Sequence, residues 1–226
     1  MTLHPDALLD AVIFDLDGTL VDTAPEFISI VQGLRKRHDL SPLPEEDIRQ
    51  TVTNGAAALV SLALEVSVEH PDFEHHREQF LLEYEQALGK AAVVYPGLRE
   101  LIIKLGEKQI SWGVATNKFR RYAEPLMTAL NFSPAAQCLI TPTEVTHPKP
   151  HPESILLSCE SLGSQPSRCV YVGDHQRDIQ AGKAAGCQTI AAAYGYIECG
   201  VDPRDWQADY LVKSSEELSQ LLMRMI

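Results

Sequence analysis

Leu8-Leu9-Asp10-Ala11-Val12-Ile13-Phe14 is a short, mostly apolar, β-favouring run that breaks off at Asp15-Leu16-Asp17-Gly18. That is the pattern of a buried parallel strand running into a loop. From Thr23 to Leu88 the texture turns helical. Thr23 and Glu26 have capping-box spacing, and Ala24, Phe27, Ile28, Val31 and Leu34 recur at helical intervals. The pattern continues through Pro44–Val52, the Asn54-Gly55 break, Ala56–Leu64 and Glu74–Leu88 without a convincing strand. After Tyr95-Pro96-Gly97, strand-like runs alternate with amphipathic helices, the strands falling at Ile110–Ala115, Gln137–Ile140, Cys169–Val172, Gln188–Ala193 and Tyr210–Val212. The expected architecture is an α/β, doubly wound parallel sheet formed by residues 1–22 and 89–226, with an all-helical cap, residues 23–88, inserted after the first strand. In such sheets ligands bind beyond the carboxyl ends of the strands.

The chain of 226 residues can bury the core this requires. Its formal charge of 19 − 31 = −12 supplies no basic field for a nucleic-acid backbone or an anionic membrane. An acidic protein that binds phosphate must concentrate metal ions, lysines and backbone N–H groups at one site. The five cysteines are odd in number and lack CxxC spacing, which reads as reduced, mostly buried thiols. No run approaches the ~20 apolar residues of a membrane span, and the N-terminus has no secretory pattern. The expected location is cytoplasmic.

Four features carry chemistry, each at a strand-to-loop junction. Asp15 and Asp17 leave the first strand two positions apart, so an extended backbone points both carboxylates the same way, and Gly18 permits a tight turn. Two adjacent carboxylates repel unless a cation is bound. A calcium loop would place its last ligand at Glu26, but Leu20 stands where that loop needs glycine. Thr116 and Asn117 follow a second strand, where the Thr116 hydroxyl and free backbone N–H groups suit a phosphoryl oxygen; an ordinary N-cap is the competing use of Thr116. Lys149 sits among Pro148, Pro150 and Pro152, a stiff mount for a counter-charge, although a lone loop lysine is usually solvated. Asp174 and Asp178 follow Val172-Gly173 with helical spacing. Asp174 is the better metal ligand, and Asp178 alternatively complements a helix dipole.

Together, Asp15-Leu16-Asp17-Gly18-Thr19, Thr116-Asn117, Lys149 and Gly173-Asp174 with Asp178 resemble the four ordered motifs of haloacid dehalogenase superfamily phosphatases. The resemblance spans nearly the whole chain. It implies Asp15 as nucleophile and Asp17 as general acid and base. It implies phosphate contacts from Thr116, Asn117, Lys149 and Gly18. It also implies Mg²⁺ held by Asp15, the Asp17 main-chain carbonyl and Asp174, with Asp178 in support. The partner is then a small phosphorylated metabolite, with neither nucleic acid nor membrane, and the protein a monomer or homodimer.

Trp112–Lys118, Ala123–Met127 and Tyr194–Ile197 further resemble bacterial N-acetylmuramic acid 6-phosphate phosphatases, a peptidoglycan-recycling branch close to phosphoglycolate phosphatases. An amino-sugar phosphate is the expected substrate and phosphoglycolate the alternative. Both carry a carboxylate, for which Arg120 or Arg121 is the candidate anchor, although the ordinary reading of both, and the one favoured, is a solvated helix face; Thr53-Asn54-Gly55 is the candidate specificity turn. A phosphomutase would share Asp15 and Asp17. A receiver-like phospho-acceptor would lack the helical insertion, and a dehalogenase would need no Mg²⁺.

Overall fold

The computed structural model describes residues 9–226. Leu8, at the head of the expected first strand, lies outside them. The main sheet is wholly parallel. Its strands are β1 (Ala11–Phe14), β4 (Ser111–Ala115), β5 (Leu139–Ile140), β6 (Cys169–Gly173), β7 (Gln188–Ala192) and β8 (Tyr210–Val212), in the spatial order β5-β4-β1-β6-β7-β8. The order reverses at β1, which lies between β4 and β6 with Phe14 opposite both Val114 and Val172. The three carboxyl ends are therefore side by side. That is the switch point at which ligands bind in this architecture.

Helices α5 (Leu98–Glu107), α6 (Arg120–Leu130), α7 (Glu153–Ser161), α8 (Gln176–Ala185) and α9 (Ser215–Met225) cover the sheet. β1, β4 and β6 are buried at nearly every position, which explains why their sequences read as continuous apolar runs. Cys138, Cys159, Cys169 and Cys187 are buried in the core, while Cys199 is exposed and none is disulfide-bonded. No helix among the described residues is long and apolar enough to cross a membrane.

Between Asp22 and Val93 the chain forms four helices, α1 (Ala24–Arg37), α2 (Glu45–Thr51), α3 (Gly55–Leu64) and α4 (Phe73–Ala87). They pack around their own apolar cluster, centred on Phe27, Val31, Ile48, Leu59, Val60 and Phe80. Buried Arg35 staples this unit from inside, donating to the carbonyls of Ser41 and Ala63 and to the Glu65 carboxylate. One element escaped the sequence pattern. β2 (Val21–Asp22) and β3 (Val93–Val94) pair antiparallel where the chain leaves and re-enters the core. Two residues per strand are too few to show a period of two.

The expected capping box at Thr23 and Glu26 does not form. Thr23 has helical backbone angles, φ −98° and ψ −6°, and its hydroxyl makes no cap hydrogen bond. It donates instead to Asp17 Oδ1 at 2.6 Å, a charged and therefore stronger acceptor. Glu26 is buried and accepts from the backbone N–H groups of Ala91 and Ala92, at 3.2 and 3.3 Å, tying α1 to the returning chain.

Candidate active site

The junctions after β1, β4 and β6 meet under a cavity of about 630 Å³ between the sheet and the four-helix unit. Asp15, Asp17, Thr116 and Asn117 line it from below. The loop carrying Lys149 arrives from beyond β5 and inserts the ammonium between the carboxylates. Lys149 Nζ lies 3.0 Å from Asp15 Oδ1 and 2.7 Å from Asp178 Oδ1, and it donates to Tyr171 Oη at 2.8 Å and Ala115 O at 3.1 Å. Its side chain is 0% exposed. The proline-stiffened loop thus delivers a buried lysine rather than a solvated one. Burial works against the Lys149 ammonium, yet Asp15 and Asp178 outweigh it and hold its pKa above the ordinary lysine value.

Carboxylate oxygens of Asp15, Asp174 and Asp178 all lie within 4.8 Å of one another. Three buried acids share one lysine, so the cluster carries excess negative charge. Burial, then the neighbouring Asp15 and Asp178, push the Asp174 pKa well above the usual carboxylate range. Asp178 is raised too, chiefly by burial, with Lys149 opposing. Asp178 Oδ2 also accepts from the His175 backbone, while His175 Nδ1 accepts from Arg177 N, closing a capping box at the start of α8. Asp178 therefore serves helix and lysine at once. Burial, then Arg177, push the His175 pKa down to about 4, which keeps that ring a neutral acceptor.

The cluster is packed too closely for side chains at three glycines, Gly18, Gly173 and Gly195; a Cβ on Gly173 would stand 2.3 Å from Asp178 Cβ. A Cβ on Gly18, whose φ is +76°, would stand 2.0 Å from Asp174 Oδ2. A Cβ on Gly195 would stand 2.3 Å from Asp174 Cβ and 2.4 Å from the Gly18 carbonyl. Gly18 was expected for its turn. Gly195 belongs to a strap, Tyr194–Tyr196, that is tied to the site by tertiary contacts. Tyr194 Oη donates to Thr19 O, Tyr196 N donates to Asp174 Oδ2, and Tyr196 Oη accepts from the N–H groups of Thr23 and Ala24.

Asp17 departs from the simplest expectation. Its carboxylate lines the same cavity as Asp15 but is absent from the acid cluster. Lys118 Nζ holds both its oxygens, at 3.0 and 3.1 Å, and the Thr23 hydroxyl holds Oδ1. The unbalanced charge belongs to Asp15, Asp174 and Asp178, not to the Asp15–Asp17 pair, because each member of that pair has its own lysine. Lys118 was missed as a site residue although it directly follows Thr116-Asn117. It sits over the rings of Tyr84 and Phe27, 4.7 and 5.4 Å from their centroids. Burial lowers its pKa, but Asp17 and Tyr84 reverse the effect and leave it raised.

Thr116 is buried and its hydroxyl accepts from Lys118 N at 3.2 Å. It is not a helix cap, because α6 begins at Arg120 with Phe119 as its N-cap. Asn117 has both ends of its carboxamide on the Lys149 backbone, donating to Lys149 O at 3.0 Å and accepting from Lys149 N at 3.1 Å. That pair of hydrogen bonds fixes the lysine loop against the end of β4.

The upper wall comes from Phe27, Thr53–Ala57, Arg77, Leu81 and Tyr84, with Phe119, Arg121 and Tyr122 at the side. Thr53-Asn54-Gly55 is indeed at the cavity, as a 3₁₀ turn leading into α3. Of the two expected anchors, Arg120 turns away to Glu144 and the Leu139 carbonyl. Arg121 reaches the wall but pairs with Glu85.

The family model for haloacid dehalogenase-like hydrolases matches residues 12–192. The chain is 42% identical over 218 residues to an N-acetylmuramic acid 6-phosphate phosphatase of Pseudomonas aeruginosa, covering 96% of each chain. It is 34% identical over 208 residues to a phosphoglycolate phosphatase of Xanthomonas campestris pv. campestris, covering 92% of this chain and 94% of that one. The fold superposes with a TM-score of 0.82 on the crystal structure of a predicted phosphoglycolate phosphatase from Haemophilus somnus, at 24% identity over 95% of this chain and 98% of that one. A matching family model over most of the chain and whole-length relatives agree: this chain belongs to the haloacid dehalogenase-like hydrolase family.

Proposed function

We propose that the chain is a Mg²⁺-dependent phosphatase that hydrolyses N-acetylmuramic acid 6-phosphate through a phosphorylated Asp15. The phosphatase class itself follows from the family and from its whole-length relatives. The observation carrying the mechanism is the cluster of Asp15, Asp174 and Asp178 around Lys149 beneath the cavity. Its donors are oxygens only, with three carboxylates and one ammonium, which suits a hard divalent cation. Asp15 and Asp174 would hold the ion, with Asp178, already engaged by Lys149 and His175, in support. The Asp17 carbonyl is the further donor we assign. The ion would supply positive charge to the oxygens of the transferring phosphoryl group.

In the first step an Asp15 carboxylate oxygen attacks phosphorus in line. The bond to the leaving oxygen breaks, and Asp17 gives that oxygen its proton. In the second step water attacks the aspartyl phosphate, Asp17 takes a proton from it, and inorganic phosphate leaves. Lys118, 3.0 Å from Asp17 Oδ1, would stabilise the carboxylate left once the first step's proton has been given up. Thr116 and the Asn117 backbone complete the phosphate contacts; Gly18, expected among them, has its N–H taken by the Val21 carbonyl at 2.9 Å. Lys149, with its ammonium 3.0 Å from Asp15 Oδ1, offsets phosphoryl charge, which is the main demand of such transfers. The helices of residues 23–88 act as the cap that excludes water.

The amino-sugar substrate is favoured by the 42% relative and by a cavity far larger than a two-carbon leaving group fills. Phosphoglycolate is the second reading, supported by the relatives at 34% identity. A phosphate-release screen with Mg²⁺ tests both, using N-acetylmuramic acid 6-phosphate, other sugar phosphates and phosphoglycolate, with Asp15→Asn as control. Fastest turnover of an amino-sugar phosphate is expected. Accumulation of an isomerised sugar phosphate instead of free phosphate would identify a mutase.

A further inference from the structure

Four cations line the cavity: Arg77, Lys118, Arg121 and Arg177. Three are neutralised within the protein. Arg77 pairs with Glu74, Lys118 with Asp17 and Arg121 with Glu85. Arg177, in the first turn of α8 and three residues beyond Asp174, has no carboxylate ion pair among the described residues. Only its Nη2 is engaged, donating to Thr53 O at 2.6 Å and Thr53 Oγ1 at 2.8 Å. A guanidinium has five donors in a planar fork that matches a carboxylate edge to edge. Nε and Nη1 of Arg177 are left with no acceptor among the described residues, in a half-buried group facing the cavity. A partly desolvated charge of this kind is stabilised by an anion.

The anion is not the transferring phosphoryl group, whose place is on the floor between Asp15, Thr116 and Lys149. Arg177 is tied instead to the 3₁₀ turn Val52–Asn54 of the upper wall. Resting on the phosphatase reading above, we infer that Arg177 is the subsite for a carboxylate carried by the substrate's leaving group. It replaces Arg120 and Arg121 in that part. The Thr53 contact orients the fork and joins the specificity turn to the helix that carries Asp178.

Two matched substrate pairs test this: N-acetylmuramic acid 6-phosphate against N-acetylglucosamine 6-phosphate, and phosphoglycolate against ethyl phosphate. Within each pair only the first member has the carboxylate. The measured quantity is the ratio of kcat/KM values within a pair, for the wild type, Arg177→Gln, Arg177→Lys and Thr53→Val, each checked for folding by thermal unfolding. A charge-assisted bidentate contact predicts that Arg177→Gln lowers the ratio of the preferred pair by roughly 10- to 100-fold, mainly through KM. Arg177→Lys should recover part of it, because charge returns without the fork. Thr53→Val removes the Oγ1 contact that helps orient the fork but keeps the one to the Thr53 carbonyl, so it should lower the ratio by less than Arg177→Gln does. A wild-type ratio near one, or an Arg177→Gln ratio equal to wild type, overturns the assignment while the phosphatase reading stands. Absence of phosphate release from all four compounds by the wild type overturns both.

Discussion

The floor and the upper wall of the cavity are built in opposite ways. On the floor, Asp15, Lys149, Asp174 and Asp178 are each no more than 8% exposed, and every side chain is held by a hydrogen bond to the protein backbone. The wall includes Phe119, 61% exposed, together with Arg77 and Arg121, whose partners lie outside the cavity. Floor groups are fixed by parallel strand ends about 4.8 Å apart, so their positions follow from the sheet. Wall groups come from separate helices and are mixed, with Phe27 and Tyr84 as buried as the floor and Phe119 at the side exposed. A rigid floor with an adaptable wall lets one chemistry serve different leaving groups.

The largest effect should come from the floor. Asp15→Asn should lower kcat by on the order of 10⁴-fold or more, the scale of nucleophile removal, without loss of thermal stability, since a like charge leaves the acid cluster. Substantial phosphate release by that protein would break the contrast at once. Chelation should likewise abolish turnover. Added Mg²⁺ should raise the melting temperature of the wild type and much less that of Asp174→Asn, in keeping with stabilisation of about 2.7 kcal/mol at a hundredfold excess over Kd. An equal rise in both proteins would remove the acid cluster as the ion's site.

Stability separates the regions next. Lys149→Met in metal-free buffer leaves two buried carboxylates without their counter-charge, and urea unfolding should show a loss of about 3–5 kcal/mol. Phe27→Ala, in the apolar cluster of the four-helix unit and stacked 4.3 Å from Tyr84, should cost about 3 kcal/mol through its cavity. The smallest change belongs to the exposed wall. Phe119→Ala should stay within about 0.5 kcal/mol of wild type in unfolding, with its effect confined to KM. A larger loss would show that wall and floor are equally rigid.

The floor was legible because its residues share one local signature, an apolar run ending in a polar group. Asp15, Thr116 and Asp174 each follow a strand whose pattern stands out, and Tyr210–Val212 emerged with the expected bounds. The paired strands Val21–Asp22 and Val93–Val94 had no such signature, being two residues each. Thr23 and Glu26 showed the limit of motif spacing, since both had the right separation for a cap and both were drawn to stronger tertiary partners.

Periodicity and strand-end chemistry thus determined the sheet, the helical insertion and the acids beneath the cavity, because backbone hydrogen bonding and burial act on contiguous residues. Only the tertiary structure decided which lysine neutralises which carboxylate. Lys149 goes to Asp15 and Asp178, Lys118 to Asp17, and Arg177 to the Thr53 carbonyl and to no carboxylate among the described residues. Ion pairs depend on distance through space, and the crossovers bring together Thr53 and Arg177, which lie 124 positions apart in the chain. No local spacing encodes such a meeting.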